Sequence, residues 1–455
     1  MAGIRITLKE TGQQSIARLW VHNPNEEKEP DYLIHFRRPE TYDGEFGFDW
    51  MRDNYKEICS DYEKLKKEYY DAEKNEKVEL GHKEYFVPWL SIFPKQEDDK
   101  LKQEVKLRIE VEVLNNYQIQ DDDYIKIPSK AGIIFNPDKI KVSDINNDTT
   151  IEVICKEPLE KNICITVLDK NNIEVGKLNV IKNDITYKLN IRFIKVKFRG
   201  KIEQNKAGIK NKLNFSLGKT TALPPSGQEI VQNLDMKDRM NEWVKYVETS
   251  EENFNLKLCQ ALIKYCPIKI DNKIDYRNIE LNFDSFIVGT ASKSKGINRV
   301  KSSITSIDLD AIACYMEEFI LGLKEIYEEK YGTEKGVIVF LLPITVRYTN
   351  FPDTNIGYHD GFADEVFKEG RYIMLTNKTS DFKYFTLLHE IGHTLGLFHS
   401  FQEKQIDEKG RKIIPTHTFK EGFTENIMDY NIFPVSFWKW QWIEMHKDDL
   451  DLIPE

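Results

Sequence analysis

The sequence predicts a multidomain chain, all-β in its middle and α+β in its C-terminal part. Three observations carry that prediction. The chain has 455 residues, too many for one ordinary hydrophobic core, so two or three domains are expected. Between about residues 104 and 187, apolar and polar residues alternate with the period of half-buried strands. Beyond residue 188, strand-length apolar runs are interleaved with helical periods.

Residues 1–103 read as a mixed α/β module. Within it, residues 60–77 are rich in Glu, Lys and Tyr and predict an exposed helix or helical hairpin with a solvated charged face. Residues 44–50, Gly-Glu-Phe-Gly-Phe-Asp-Trp, predict a turn capped by buried rings. In residues 105–113 (VKLRIEVEV) every second side chain is apolar, so one face is buried. Further strands are expected at 150–155, 162–168 and 177–181, with Asn/Asp turns at 146–148 and 169–172. Short strands at this spacing predict an antiparallel sandwich of immunoglobulin type over residues 104–187.

Residues 188–198 read as one more strand, which opens a third domain over 188–455. A Gly/Pro/Ser-containing connection follows at 220–227, inside a stretch (199–235) longer than a simple link. Then come helical patterns within 236–265 and strands near 268–270 and 284–288. A helix is expected over 309–331, with Ile312, Met316, Phe319, Ile320, Leu323 and Ile326 near one face. Apolar strands follow at 337–342 and 372–375.

A net charge of −10 argues against nonspecific nucleic-acid binding, which needs basic patches. No apolar run is long enough to span a bilayer. The opening MAGIRITLKETGQQ lacks the apolar core of a secretory signal, so cytoplasmic synthesis without general export is expected. The six cysteines are scattered and form no C-x-x-C pair. Cys155 and Cys164 flank an expected turn, and Cys259 and Cys266 lie near the end of a helical stretch. Reduced, partly buried thiols are expected.

The chemistry is concentrated in residues 389–399, His-Glu-Ile-Gly-His-Thr-Leu-Gly-Leu-Phe-His. His389 and His393 are four residues apart, which on a helix puts both imidazoles on one face within reach of one Zn²⁺. Glu390 points to the side of that ion, where it can take a proton from a metal-bound water. Gly396 can adopt a left-handed conformation, so the chain can turn and return His399 as a third ligand. Three protein ligands leave the fourth tetrahedral position open, which is the catalytic arrangement. Phe385, Leu387, Leu388, Ile391 and Leu395 give residues 382–397 a buried helical side. A core helix with satisfied histidines would explain neither Gly396 nor His399.

The eleven-residue pattern resembles the zinc signature of the metzincin metallopeptidases. HEIGHTLGLFHSF followed by NIMDY is most similar to the cytophagalysin/pappalysin-type bacterial enzymes of that group. Those enzymes often carry a longer, cysteine-containing insert where residues 400–424 are short, charged and cysteine-free. The resemblance implies a zinc-dependent endopeptidase with an α+β catalytic domain, Glu390 as general base, and a peptide or protein substrate. It implies that Met428 lies beneath the three histidines as a hydrophobic floor. Tyr430, two residues on, is implied as a further zinc ligand or an oxyanion donor; a plain rim tyrosine is the alternative. The strand formed by Arg371, Tyr372, Ile373, Met374, Leu375 and Thr376 is implied as the sheet edge that pairs with extended substrate.

His417, in the charged segment, is expected as a solvated loop histidine. In residues 434–446, Trp438, Trp440 and Trp442 are expected as core anchors, Ser436 as a helix cap, and His446 at the surface. Residues 44–50 resemble N-terminal modules of type VI secretion-associated proteins of the Bacteroidetes. That resemblance implies a bacterial effector or toxin acting after secretion, with a secretion-apparatus or immunity partner. Another function stays open: a non-catalytic, zinc-stabilised binding or structural component. An intact Glu390 and an open fourth metal position favour the enzyme. A latent enzyme, its zinc covered by an upstream segment, has no family-type latency motif in the sequence.

Overall fold

A computed structural model describes residues 5–11, 14–20, 28–94, 104–199, 236–282, 304–307, 311–314, 316–343, 345–349, 356–359, 361–363, 371–376, 385–406, 412–431, 433–447 and 451–455. The expected connection at 220–227 and strand at 284–288 lie outside these residues. The fold is built of several sheets, mostly β with a few helices. No helix among the described residues is long and apolar enough to cross a membrane.

Two sheets share one core in the first half. One is ordered Ile133–Asn136, Thr150–Cys155, Glu104–Val113, Tyr32–Arg37. The other is ordered Lys139–Lys141, Tyr124–Lys126, Ile163–Leu168, Glu174–Val180, Trp89–Ser91, Gly47–Asp49. Alternation does what the sequence requires: Val105, Leu107 and Ile109 point inward from one long strand. They meet Phe48, Leu90, Val167 and Leu178 from the facing sheet. Three strands of this sandwich come from before residue 103, so the N-terminal module and the sandwich have one core, with no border at 103. Cys155 and Cys164 sit on opposite sheets as free, buried thiols.

Residues 60–77 depart from the solvated helix expected of them. Tyr62–Leu65 is one helical turn, continued as a 3-10 turn over Lys66–Tyr69, and Leu65 and Tyr69 are fully buried. Two apolar residues four apart are too few to show through the Lys/Glu background, yet they anchor the segment. In residues 44–50 the rings of Phe46 and Phe48 are buried as expected, but the turn gives way to a strand at Gly47–Asp49.

Tyr187–Arg199 is the spine of the second main sheet. On one side it pairs in parallel with Ile263–Pro267 and then Arg277–Asn282. On the other it pairs with Leu452–Pro454, antiparallel, and Val337–Leu342, parallel. Tyr372–Thr376 follows in parallel, and Gly361–Ala363 closes the described order as an antiparallel outer strand. Helix Met236–Cys259 covers the sheet with Trp243, Val247, Phe254 and Leu258. The helix expected from residue 309 begins at Met316, because Ala311–Cys314 is drawn into strand pairing with Ile304–Ile307 and Thr345–Thr349.

The two cores are joined by alternation in one short strand. In Trp89–Ser91, Trp89 enters the core of the second sheet and Leu90 enters the sandwich. Tyr55, Leu65, Tyr69 and Phe93 also pack into the second core.

Candidate metal centre

The site helix runs from Thr386 to Thr394 and buries Leu387, Leu388 and Ile391. It ends as a glycine-terminated helix should. Gly396 has φ +88°, its N–H bonds His393 O at 3.0 Å, and Leu397 N–H bonds Gly392 O at 2.9 Å. This reversal brings His399 back to the helix. The Nε2 atoms of His389, His393 and His399 then form a triangle with sides of 3.2, 3.1 and 3.1 Å.

The tautomers are fixed by backbone carbonyls. His389 Nδ1 lies 2.8 Å from Ile427 O, and His393 Nδ1 lies 2.8 Å from Leu397 O. A carbonyl only accepts, so each Nδ1 carries the proton and each Nε2 presents a lone pair. Two bare lone pairs at this separation repel each other, and a cation between them removes the repulsion. Tetrahedral zinc, with Zn–N near 2.0–2.1 Å, places its nitrogens about 3.3–3.4 Å apart, so the triangle fits it. Burial lowers the pKa of His389 and lowers that of His393 well below its ordinary value. Burial, and then the neighbouring His389, bring His399 to about 3. All three are therefore neutral near pH 7, as metal ligands must be. Among the described residues, these are the ones grouped to hold a metal.

Glu390 is buried on the same helix. Its carboxylate packs against Gly361 of the outer strand: a Cβ there would stand 2.8 Å from Thr386 Cγ2, 2.9 Å from Glu390 Cγ and 3.0 Å from Oε1. Gly361→Ala is expected to displace Glu390 while sparing the ligands. Misplacing a catalytic group by ~1 Å costs up to roughly 10²-fold in rate. Any turnover that depends on the Glu390 carboxylate should fall by at least about 10-fold while metal binding at the histidines is unchanged, checked by kinetics beside metal analysis.

Met428 is fully buried under the helix. A Cβ on Gly392 would collide with Met428 Sδ, so the first glycine of the motif gives the methionine its place. The turn holds itself together through side chains that sequence reasoning had not singled out. Asn426 Oδ1 accepts Met428 N–H at 2.9 Å, and its amide pairs both ways with Gln441 at 2.7 and 3.0 Å. The Asp429 carboxylate accepts N–H bonds from Gly422, Thr424 and Tyr430 at 2.8–2.9 Å. The exposed Tyr430 ring lies 4.9 Å from the His399 ring and 5.8 Å from that of His389, centre to centre.

The expected substrate-pairing edge is corrected. Ile373, Met374 and Leu375 are paired on both sides, with Val337–Leu342 and with Gly361–Ala363. Tyr372 and Thr376 are buried too, and Arg371 donates to Glu334 O at 2.9 Å. A three-residue strand has no periodicity to read, so the true outer strand was invisible in the sequence.

Three further expectations change. His417 is buried: Nδ1 is 3.0 Å from Asp61 Oδ2, Nε2 is 3.4 Å from Glu68 Oε1, and the ring abuts Trp440. Its partners lie some 350 positions away, beyond any local signal. Ser436 does not cap the last helix, which starts at Lys439 after Trp438; its hydroxyl accepts from Arg38 Nη2 at 2.8 Å. His446 is half-buried, packed on Tyr187 and bonded to Ala261 O. The three tryptophans are core anchors, as expected.

Acidic groups tie this region together. Burial alone would raise Glu425 and Glu68. Arg52 and Arg38 outweigh it and hold Glu425 at about 2, and His417 and Lys439 do the same for Glu68. Both folded pKa values lie below the ordinary 4.5. The stability they contribute is therefore present above pH 4.5 and is lost as pH falls toward about 2. The Tm gap between wild type and Glu425→Gln should be full at pH 6 and shrink from pH 4.5 to 2.5, as thermal melts across that range would show.

No protein-family model matches the chain, and no curated protein sequence matches it either.

Proposed function

We propose that this chain is a zinc-dependent endopeptidase of metzincin type. The observation that carries the proposal is the histidine triangle, two of its tautomers fixed by backbone carbonyls, with a buried carboxylate beside it given room by Gly361. His389, His393 and His399 would hold the ion, and Glu390 is not needed as a ligand. Zinc, when bound, acidifies water and polarises a peptide carbonyl. Glu390 takes the proton of the attacking water and passes it to the leaving amine. Tyr430, on the exposed side of the histidines, donates to the oxygen on which charge develops. Among the described residues the outer strand Gly361–Ala363 has no strand on its far side, and that edge receives an extended substrate, which keeps the main chain next to Glu390.

A zinc-stabilised binding component would need the triangle but has no use for Glu390 held beside it. Action as a secreted bacterial effector is the setting proposed from the N-terminal resemblance. The test is mass-spectrometric mapping of cleavage sites in a peptide library. Native protein should produce a defined set of cleavages that chelation and Glu390→Ala both abolish. Identical profiles for native protein and Glu390→Ala would remove the peptidase reading.

A further inference from the structure

We propose that Glu425, gripped by Arg38 and Arg52, is a positioning residue through which the N-terminal sandwich sets the geometry of the metal site. Where the proposal speaks of turnover it rests on the peptidase reading; where it speaks of the metal site it does not.

Both arginines are fixed before they reach Glu425. Arg38 follows the sandwich strand Tyr32–Arg37, and its guanidinium is buried. It donates to Phe48 O from Nε at 3.2 Å and from Nη2 at 2.6 Å, and Nη1 donates to Glu425 Oε1. Arg52 donates to Trp50 O at 3.2 Å and to Tyr55 Oη at 2.6 Å, and Nη2 donates to the same Glu425 oxygen. Both guanidiniums lie against the Trp50 ring, 4.7 and 4.0 Å from its centre. The Asp49 carboxylate, 3.5 Å from Arg52, neutralises part of the added charge. Planar guanidiniums locked in this way impose a direction on the carboxylate they hold.

From Glu425 the path to the metal ligands is short. Its carbonyl accepts N–H bonds from Val435 and Ser436, at 2.8 and 3.3 Å, pinning the start of the turn. Two residues on, Ile427 O fixes the His389 ring. One residue further, Met428 packs against Gly392. The Asn426–Gln441 and Asp429 bonds hold the turn to itself and to the last helix. Glu425 instead ties it to chain almost 400 positions earlier. Displacing Glu425 therefore moves the carbonyl that orients a ligand, and such outer partners are worth ~10–100-fold in metal affinity or activity.

The test uses the full chain loaded with Co²⁺ for spectroscopy and Zn²⁺ for affinity. Glu425→Gln and Arg52→Met should melt cooperatively, yet bind zinc about 10-fold more weakly and show shifted cobalt d–d bands. Turnover should fall through kcat with KM nearly unchanged, and Arg52→Lys should restore part of the loss. Folded variants with wild-type cobalt bands and zinc affinity would overturn the proposal. If Arg52→Met does not fold, the near-isosteric Glu425→Gln and the charge-keeping Arg52→Lys decide by the same bands. A native protein without peptidase activity would end the peptidase reading, while the cobalt and zinc results would still judge this one.

Discussion

Glu390→Gln should keep its zinc and lose peptide turnover by roughly 10²–10⁴-fold, the range general acid–base catalysis supplies. Glutamine has nearly the shape of glutamate, so it fits the space beside Gly361. The helix keeps its buried apolar face, and the histidines keep the carbonyls that fix their tautomers. What is lost is the ability to accept a proton from water and return it to the amine. Metal stoichiometry and kcat/KM on a peptide cleaved by the native protein give the two readings. Full activity in a zinc-loaded variant would remove Glu390 from the mechanism.

His399→Ala should lose the metal itself. The other two ligands share a rigid helix, so two lone pairs remain correctly placed. Zinc sites with four ligands bind with ~10–16 kcal/mol, so one ligand is worth about 3 kcal/mol, or roughly 10²-fold in affinity. His399 stands on the chain just past Gly396 and leaves the helix core intact when truncated. Zinc titration with a competing chelator should show the loss, with activity restored only at high added zinc. Tight one-to-one zinc binding by the variant would mean that another residue completes the site.

The legible part of the sequence was the part where one short segment carries both the fold signal and the chemistry. The spacing of Leu387, Leu388 and Ile391 predicted a buried helix side, and the same eleven residues hold the three histidines that the structure brings together. Strands with long alternation, such as 104–113, were legible for the same reason. What was missed was encoded across distance. Gly361 matters because Glu390 comes to lie on it, and Gly392 because Met428 does; neither need is written next to the glycine. His417 reads as a loop residue until Asp61 and Glu68 reach it. A border near residue 103 looked natural because the pattern changes there. The sandwich ignores it because strands as short as Gly47–Asp49 and Trp89–Ser91 complete a sheet without any visible period.

The spine strand Tyr187–Arg199 also has a bearing on biosynthesis. Its partners are made in the order 263–267, 277–282, 337–342 and 452–454. A ribosome must therefore add more than 250 residues after the spine before all its hydrogen bonds can close. Pairing at such separations is slow, because loop closure comes before any contact rewards it. The three clustered histidines and the turn beneath them are translated late in the same interval. The strands of the sandwich all precede residue 181, so that half can close first, and the histidine triangle assembles afterwards on a scaffold already in place.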